Sequence, residues 1–427
     1  MGHITPKAYK NLQARLDRHV QGAPESETLY KILEVLFTEK EANLVAKLPI
    51  NQFTVKKASQ RFKKNIAETE EILNGLADKG ILLDMESNKK RFFVLAPTMA
   101  GFFEFSLMRT DGKFNRKILS ELFYQYINQE EDFVKRIFGM NVPADRTFIH
   151  EDKIKDEDKS LILDYEKASH IINSASCVTV GTCYCRHKME HVGKACKAPQ
   201  EVCLTFNNVA KSLSKHKIAK EISKAEAMQI LKKCRELGLV QIGDNVQKKV
   251  NWICNCCGCC CEALIAYKKL GDRNRIQSNF FAKINYDACL ACEICAKKCP
   301  VDAIIKKDGK VLIDKKKCIG CGVCSRFCPK KCISMERKGR INYTPINSFE
   351  RVVVNAIEEN KLQDYIFDNY DSWTNELFRR LFGVIVKLTP KKILSVQAQI
   401  RSRYLEALIK TKHHKLFEIL YKEGKKK

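Results

Sequence analysis

Read as apolar and polar positions, the chain changes period several times. From about residue 25 to 80, apolar side chains recur every three or four positions in "ETLYKILEVLF", "TEKEANLVAKL", "TVKKASQRF" and "AETEEILNGLADKG", the spacing of helices that each bury one face. Ser26 is placed to cap the first and Gly80 to stop the last. "ILLDMES" and "KRFFVLAP" then alternate as strands do, with "NKK" near the tip of the predicted hairpin. Helical spacing returns between 98 and 170 in "GFFEFSLMRT" and "KILSELFYQYINQEEDFVKRIF". There the charged run "HEDKIKDEDKS" reads as a linker and "DYEKASHIINSA" as a helix under the region that follows, with His170 packed or at the surface. From 171 to 281 the strongest local signal is the capping box "SKAE" at 223–226, opening "AMQILKKCREL" and closed by Gly238; it predicts a helix pair within a helical region. "KVLID" at 310–314 reads as a strand. After Pro345 "FERVVVNAIEEN", "DSWTNELFRRLFGVIVKL" and "AQIRSRYLEALI" are again helical, and the tail "KEGKKK" is expected to be loose.

Composition bounds the class. At 427 residues, 45% apolar and 30% charged, the chain can form two to four packed units. No apolar run approaches the roughly 20 residues that span a bilayer, and the first residues lack a secretory pattern, so a cytoplasmic, reducing location is expected. Twenty-one cysteines then read as metal ligands rather than a disulfide framework. The net charge of +26 is spread along the chain and leaves nucleic acid, acidic lipid and acidic protein open as partners, beside a purely solubilising role.

The cysteine spacing is the most specific signal. "CLACEICAKKCP" places Cys289, Cys292, Cys295 and Cys299 at x2, x2, x3 before a proline, and "CIGCGVCSRFCP" repeats this with Cys318, Cys321, Cys324 and Cys328. Three thiolates of such a loop grip three corners of a cubane, while the fourth reaches to the other cluster. The expected sets are Cys289, Cys292, Cys295 and Cys328 for one 4Fe–4S cluster, and Cys318, Cys321, Cys324 and Cys299 for the second. Zinc fits less well, because zinc knuckles do not need the repeated fourth Cys-Pro. Residues of about 282 to 336, including "CPVDAI", closely resemble the bacterial two-cluster ferredoxin domain. The resemblance implies a small α+β pseudo-twofold unit with a short helix after each quartet. Unlike acidic carriers, this segment crowds Lys297, Lys298, Lys306, Lys307, Lys315, Lys316, Lys317, Lys330 and Lys331 around the quartets; raised potentials and an acidic redox partner or oxidoreductase subunit are expected.

Ten further cysteines form two groups. "CYCRHKMEHVGKACKAPQEVC" holds Cys183, Cys185, Cys196 and Cys203, and "WICNCCGCCC" holds Cys254, Cys256, Cys257, Cys259, Cys260 and Cys261. Adjacent thiols do not close unstrained disulfides, so a metal is expected across the two groups: one or two further iron–sulfur clusters in preference to zinc, since a cubane accepts irregular spacing and two are expected next door. Arg186 and His187 can donate to a cluster sulfur or ligate iron, or form a solvated basic face. "CCG" at 256–258 resembles the motif of heterodisulfide-reductase-type subunits, although the Cys-x-x-Cys that family needs downstream is here already claimed by the ferredoxin-like quartet. Cys177, Cys234 and Cys332 stand alone and read as small buried apolar residues.

The expected architecture is a multi-domain α+β chain: a winged-helix-like unit (25–97), a helical connector (98–170), a helical cysteine-rich region (171–281), a ferredoxin-like α+β two-cluster domain (282–340) and a helical C-terminal region (341–427). The N-terminal element order resembles a winged-helix domain, a DNA-binding module. The helix that would enter the major groove carries Glu68, Glu70, Glu71 and Asp78 against Lys79; the basic residues Lys56, Lys57, Arg61, Lys63 and Lys64 precede it, and Lys89, Lys90 and Arg91 are on the wing. Acids facing phosphate are repelled, so docking or a structural role is favoured over DNA. Phe378, Leu381, Phe382 and Ile385, flanked by Arg379, Arg380 and Lys387, form a face suited to a core or to an anionic membrane surface. With no nucleotide, dinucleotide or haem-attachment motif, the expected function is electron transfer to or from a partner oxidoreductase rather than stand-alone catalysis. A redox-sensing transcriptional regulator is the alternative, and a catalytic extra cluster a third reading.

Overall fold

The computed structural model describes residues 5–369, apart from 88–89, 155, 272–275 and 340, together with Arg379. The helices expected beyond 369, with Phe378, Leu381, Phe382 and Ile385, and the wing residue Lys89 lie outside the described residues.

The N-terminal helices are α1 (Lys7–Asp17), α2 (Glu27–Leu36), α3 (Glu39–Val45), α4 (Val55–Phe62) and α5 (Ile66–Asp78). Their starts follow side-chain chemistry: Ser26 accepts from the Leu29 N–H at 3.0 Å, Thr38 and Glu41 form a reciprocal capping box, and Asn65 caps α5. Gly80, at φ +78°, ends the run in a conformation that glycine adopts freely. Strands β1 (Leu82–Ser87) and β2 (Lys90–Leu95) then pair antiparallel, and Phe53 bridges to Phe93.

The connector differs from its prediction in two ways. The first predicted segment forms α6 (Phe103–Met108), but the longer second one is broken into α7 (Arg116–Phe123) with a π-helical turn at Tyr124–Gln129, and α8 (Asp132–Phe138); Glu131, at φ +53°, makes the break inside the polar run "NQEED". "HEDKIKDEDKS" is not a free linker. Glu151 accepts from Arg235 at 3.1 Å and from the Ser169 N–H at 3.1 Å, and Arg326 donates to Asp152 at 2.7 Å, so its acids are used as internal ties.

The cysteine-rich region is a sheet as much as a bundle, which corrects the helical expectation. β3 (Asp145–Phe148) joins β4 (Val178–Thr182), β5 (Glu201–Phe206), β6 (Lys220–Glu221), β7 (Val240–Asp244) and β8 (Trp252–Cys256) in the antiparallel order β3-β7-β8-β5-β4-β6. These strands have two to six residues, and β3 and β7 are buried throughout, so no polar–apolar alternation marks them in the sequence. The predicted helices are present between the strands, α9 (Ala168–Ser174), α11 (Asn207–Lys215) and α12 (Lys224–Glu236) with the Ser223–Glu226 box intact, and two more adjoin the cysteines, α10 (Tyr184–His191) within the first group and α13 (Glu262–Leu270) after the last. Ile172, Leu204, Ala227, Leu231 and Ile253 form a core between this sheet and the helices on one face.

In the segment after 276, β9 (Phe280–Ile284) pairs with β12 (Ile333–Arg337), and β10 (Ile304–Lys307) with β11 (Lys310–Ile313). The five-residue helices α14 (Ile294–Lys298) and α15 (Val323–Phe327) lie within the quartets, not after them as expected: each carries the third cysteine, Cys295 or Cys324, and ends at the fourth, where the Cys-Pro step cannot continue a helix. The segment sits against the six-stranded sheet: the His150 N–H donates to the Cys321 carbonyl at 3.0 Å, and Gly238 lies so close to Phe327 that a β-carbon would come within 2.8 Å of its ring. Finally α16 (Ser348–Glu358) and α17 (Leu362–Ile366) return to the N-terminal unit, where Asp368 pairs with Lys57 at 3.0 Å and Arg61 at 3.1 Å.

Candidate metal centres

The two cysteine loops after β9 and β11 repeat in backbone conformation as well as in sequence. Ala291, Glu293 and Asp302 have φ of +50°, +62° and +54°; Gly320, Gly322 and Lys331, each 29 positions later, have +69°, +85° and +49°. Left-handed residues are uncommon outside glycine, so matching them in both copies reflects a shared requirement: the loop must curl to aim three sulfurs inward.

The structure brings together thiols from opposite copies. Cys289, Cys292 and Cys295 line one cavity with Cys328 and Pro329, walled by Ile284, Leu290 and Val311. Cys299 belongs to the other side: burial, followed by the charges of Cys299 and Cys318, pushes the Cys321 thiol up, and the same neighbours act on Cys324. Cys292 is exposed, whereas Cys318, Cys321 and Cys324 are buried, so one set reaches the surface and the other faces the interior. Cys332 is not the solitary apolar residue expected. Its sulfur lies 3.4 Å from that of Cys328, and it lines the same cavity. Its equivalent in the first copy is Ala303, so the repeat itself gives no sign of a ninth thiol.

The ten other cysteines divide by place into six and four. Cys183 and Cys185 open α10, Cys203 is on β5, Cys254 and Cys256 are on β8, and Cys261 precedes α13. Their thiols contact one another in a closed circuit: Cys183 with Cys185 and Cys203, Cys254 with Cys203 and Cys256, and Cys261 with Cys185 and Cys256. Donation from those neighbours holds Cys183 and Cys261 well below the usual thiol range and Cys254 down at about 6, while the donors Cys185, Cys203 and Cys256 are pushed up. The N-termini of α10 and α13 both face this circuit and favour negative charge there. Cys234, in the apolar cluster beside Cys183 and Cys203, is pushed up to about 12 by burial.

The remaining four, Cys196, Cys257, Cys259 and Cys260, have sulfur atoms all within 4.8 Å of one another. Cys196 comes from the loop after α10, and the others from the turn between β8 and α13. At Gly258, within that turn, a β-carbon would meet the Pro300 carbonyl oxygen at 2.4 Å, so the glycine lets the turn close on the backbone just after Cys299.

Arg186 is fully buried between the two groups. It donates to the Pro199 carbonyl at 2.7 Å and to that of Asn255; burial opposes its charge, but Cys183, Cys257, Cys256 and Cys203 together raise its pKa. Its Nε has no hydrogen-bond partner among the described residues. His187 instead turns away, with Nδ1 2.7 Å from the Leu107 carbonyl and Nε2 3.2 Å from His191. Neither the ligand nor the solvated-face expectation describes it. Beneath the six thiols lies a charged pair that the sequence does not announce: Lys188 is fully buried against Glu262 and Asn128, and Asn128 also donates to Glu262 at 2.7 Å. Lys188 is three residues after Cys185 on α10, but burial of a lysine has no sequence signature.

Elsewhere the nine lysines around the ferredoxin-like loops are all exposed, and of these Lys306 pairs with Glu293 at 2.8 Å. In the N-terminal unit Glu71 and Asp78 are exposed on α5; of the basic residues, Lys57 and Arg61 pair with Asp368, Lys64 with Glu68, and Arg91 with Glu70 and Asp84, while Lys56, Lys63 and Lys90 are exposed. No helix among the described residues is long and apolar enough to cross a membrane.

Residues 282–335 match a protein-family model described as a 4Fe-4S dicluster domain. No curated protein and no solved structure matches the chain. An iron–sulfur, ferredoxin-type domain is therefore present within a longer chain.

Proposed function

We propose that the chain relays single electrons between a partner oxidoreductase and an interior cysteine centre, with its ferredoxin-type domain as the entry point. When bound, a cubane supplies reversible one-electron storage. Cys289, Cys292, Cys295 and Cys328 are assigned to the outer 4Fe–4S cluster, and Cys318, Cys321, Cys324 and Cys299 to the inner. The observation that carries the reading is the 29-residue repeat of curled loops, with Cys328 of the second copy sharing the cavity of the first three thiols.

Around the outer set, exposed Leu290 (63%), Ile305 (54%) and Tyr286 (52%) give a partner apolar contact, and the exposed lysines of the segment give an acidic partner its orientation. At the inner set, Cys299 and Pro300 abut the turn at Gly258, so the path continues towards the ten-thiol region. The six-thiol circuit is assigned a further iron–sulfur cluster. A cubane takes four thiolates, which leaves two sulfurs for bridging or for exchange.

The test compares Cys292→Ser and Cys318→Ser in protein purified without oxygen. Each variant should lose one of two interacting electron paramagnetic resonance signals, and electron transfer to an acidic acceptor should fall more than tenfold in both. Full transfer in either variant would refute the relay.

A further inference from the structure

The four thiols Cys196, Cys257, Cys259 and Cys260 differ in scale from the ferredoxin quartets. Their sulfurs are separated by 3.5 Å (Cys196 to Cys257), 3.6 Å (Cys259 to Cys260) and 4.0 Å (Cys260 to Cys196), and all lie within 4.8 Å. Four sulfurs around one tetrahedral ion at a metal–sulfur distance of about 2.3 Å stand roughly 3.8 Å apart along each edge. In a cubane each thiolate binds a different iron and points away from the cube, so the sulfurs stay farther apart. Among the described residues no other group of three or more cysteine, histidine or carboxylate ligand atoms is so close, the two ferredoxin quartets included.

From this we infer that Cys196, Cys257, Cys259 and Cys260 bind a single tetrahedral divalent ion, zinc, as a closed structural site separate from every iron–sulfur cluster. The donor set is the one that suits a redox-inert ion with four thiolates and no open position. The inference departs from the expectation of a cluster for these four of the ten cysteines. Its mechanical consequence follows from where the ligands lie. Binding joins the loop after α10 to the turn before α13, 61 residues further along, and that turn carries Gly258 against Pro300. The ion thereby braces the surface on which the ferredoxin-type domain rests. Buried Arg186, whose charge faces Cys257 as well as Cys183, offsets part of the negative charge of four thiolates.

The inference stands on the sulfur geometry alone and does not need the electron-relay reading. The experiment is zinc-edge X-ray absorption on the full chain, purified without oxygen from medium containing both iron and zinc, beside metal analysis. The expected result is one zinc per chain with four sulfur neighbours at about 2.3 Å. The double variant Cys196→Ser with Cys259→Ser should lose that zinc and keep its iron, its brown colour and its bleaching by dithionite. Retained zinc in the double variant, zinc with nitrogen or oxygen neighbours, or a zinc-free protein whose four sulfurs hold iron would each overturn it. Failure of the ferredoxin assignments would appear instead as a colourless protein, whatever its zinc content.

Discussion

Asp84 joins the N-terminal hairpin to α11. It is 6% exposed and accepts from Ser212 at 2.9 Å, His216 at 3.0 Å, Arg91 at 2.8 Å and Lys215. Burial opposes its charge, but the bonds from His216, Lys215, Arg91 and Ser212 outweigh it and hold the carboxyl far below its usual range. His216 is the counterpart: burial pulls it down, yet Asp84 and Asp78 raise it above 6.5. A histidine raised on folding stabilises fully below its unfolded value and loses that contribution as pH rises through the folded one. Thermal midpoints should therefore fall as pH is raised from 6 upward, and His216→Gln should flatten that slope; an unchanged slope would contradict the assignment. Asp84→Ala should cost about 3 kcal/mol in denaturant unfolding, since it leaves the buried His216 without the carboxylate at its Nε2 and Ser212 without its acceptor. Lys188→Ala should cost a similar amount, about 3–5 kcal/mol, while Lys188→Met with Glu262→Leu should restore most of it.

At the scale of elements, glycines separate docking from local propensity. Gly258→Ala would force apart the turn before α13 and Pro300, so it should shift the spectrum of the cluster assigned to Cys299 and leave that assigned to Cys292 unchanged. Gly75, in α5, has open space at its β-carbon, so Gly75→Ala should raise stability by about 0.5–1 kcal/mol in the same unfolding assay. Helices with capping residues, such as α2 from Ser26 and α12 from Ser223, were legible in the sequence because the cap and the apolar face agree. The six-stranded sheet was not, because "VTVGT" and "VQIGD" are too short and too fully buried to alternate. Spacing singled out the two cysteine quartets, and Cys328 shares a cavity with Cys289, Cys292 and Cys295. It did not divide the other ten thiols, since the partition into six and four depends on loops that meet only when β5 and β8 pair.

For the whole molecule, charge and exposure set a direction. The nine lysines of the ferredoxin-type segment are exposed and Lys330 lines the cavity of the outer cysteine set, so potentials there should lie above those of acidic ferredoxins, and replacing Lys297, Lys298, Lys330 and Lys331 by glutamate should lower the midpoint in voltammetry and weaken the salt-dependent association with an acidic partner. The C-terminal segment ties back to α4 through Asp368, which engages Lys57 and Arg61, two of the cations that a phosphate reader needs. The central claim is that two repeated cysteine loops hold redox-active cubanes. It is tested most directly by iron and acid-labile sulfide per chain, measured without oxygen and followed by dithionite reduction. Two ferredoxin-type clusters and one at the six-thiol circuit predict about twelve of each, with visible absorption that bleaches. A colourless chain carrying zinc alone would contradict it.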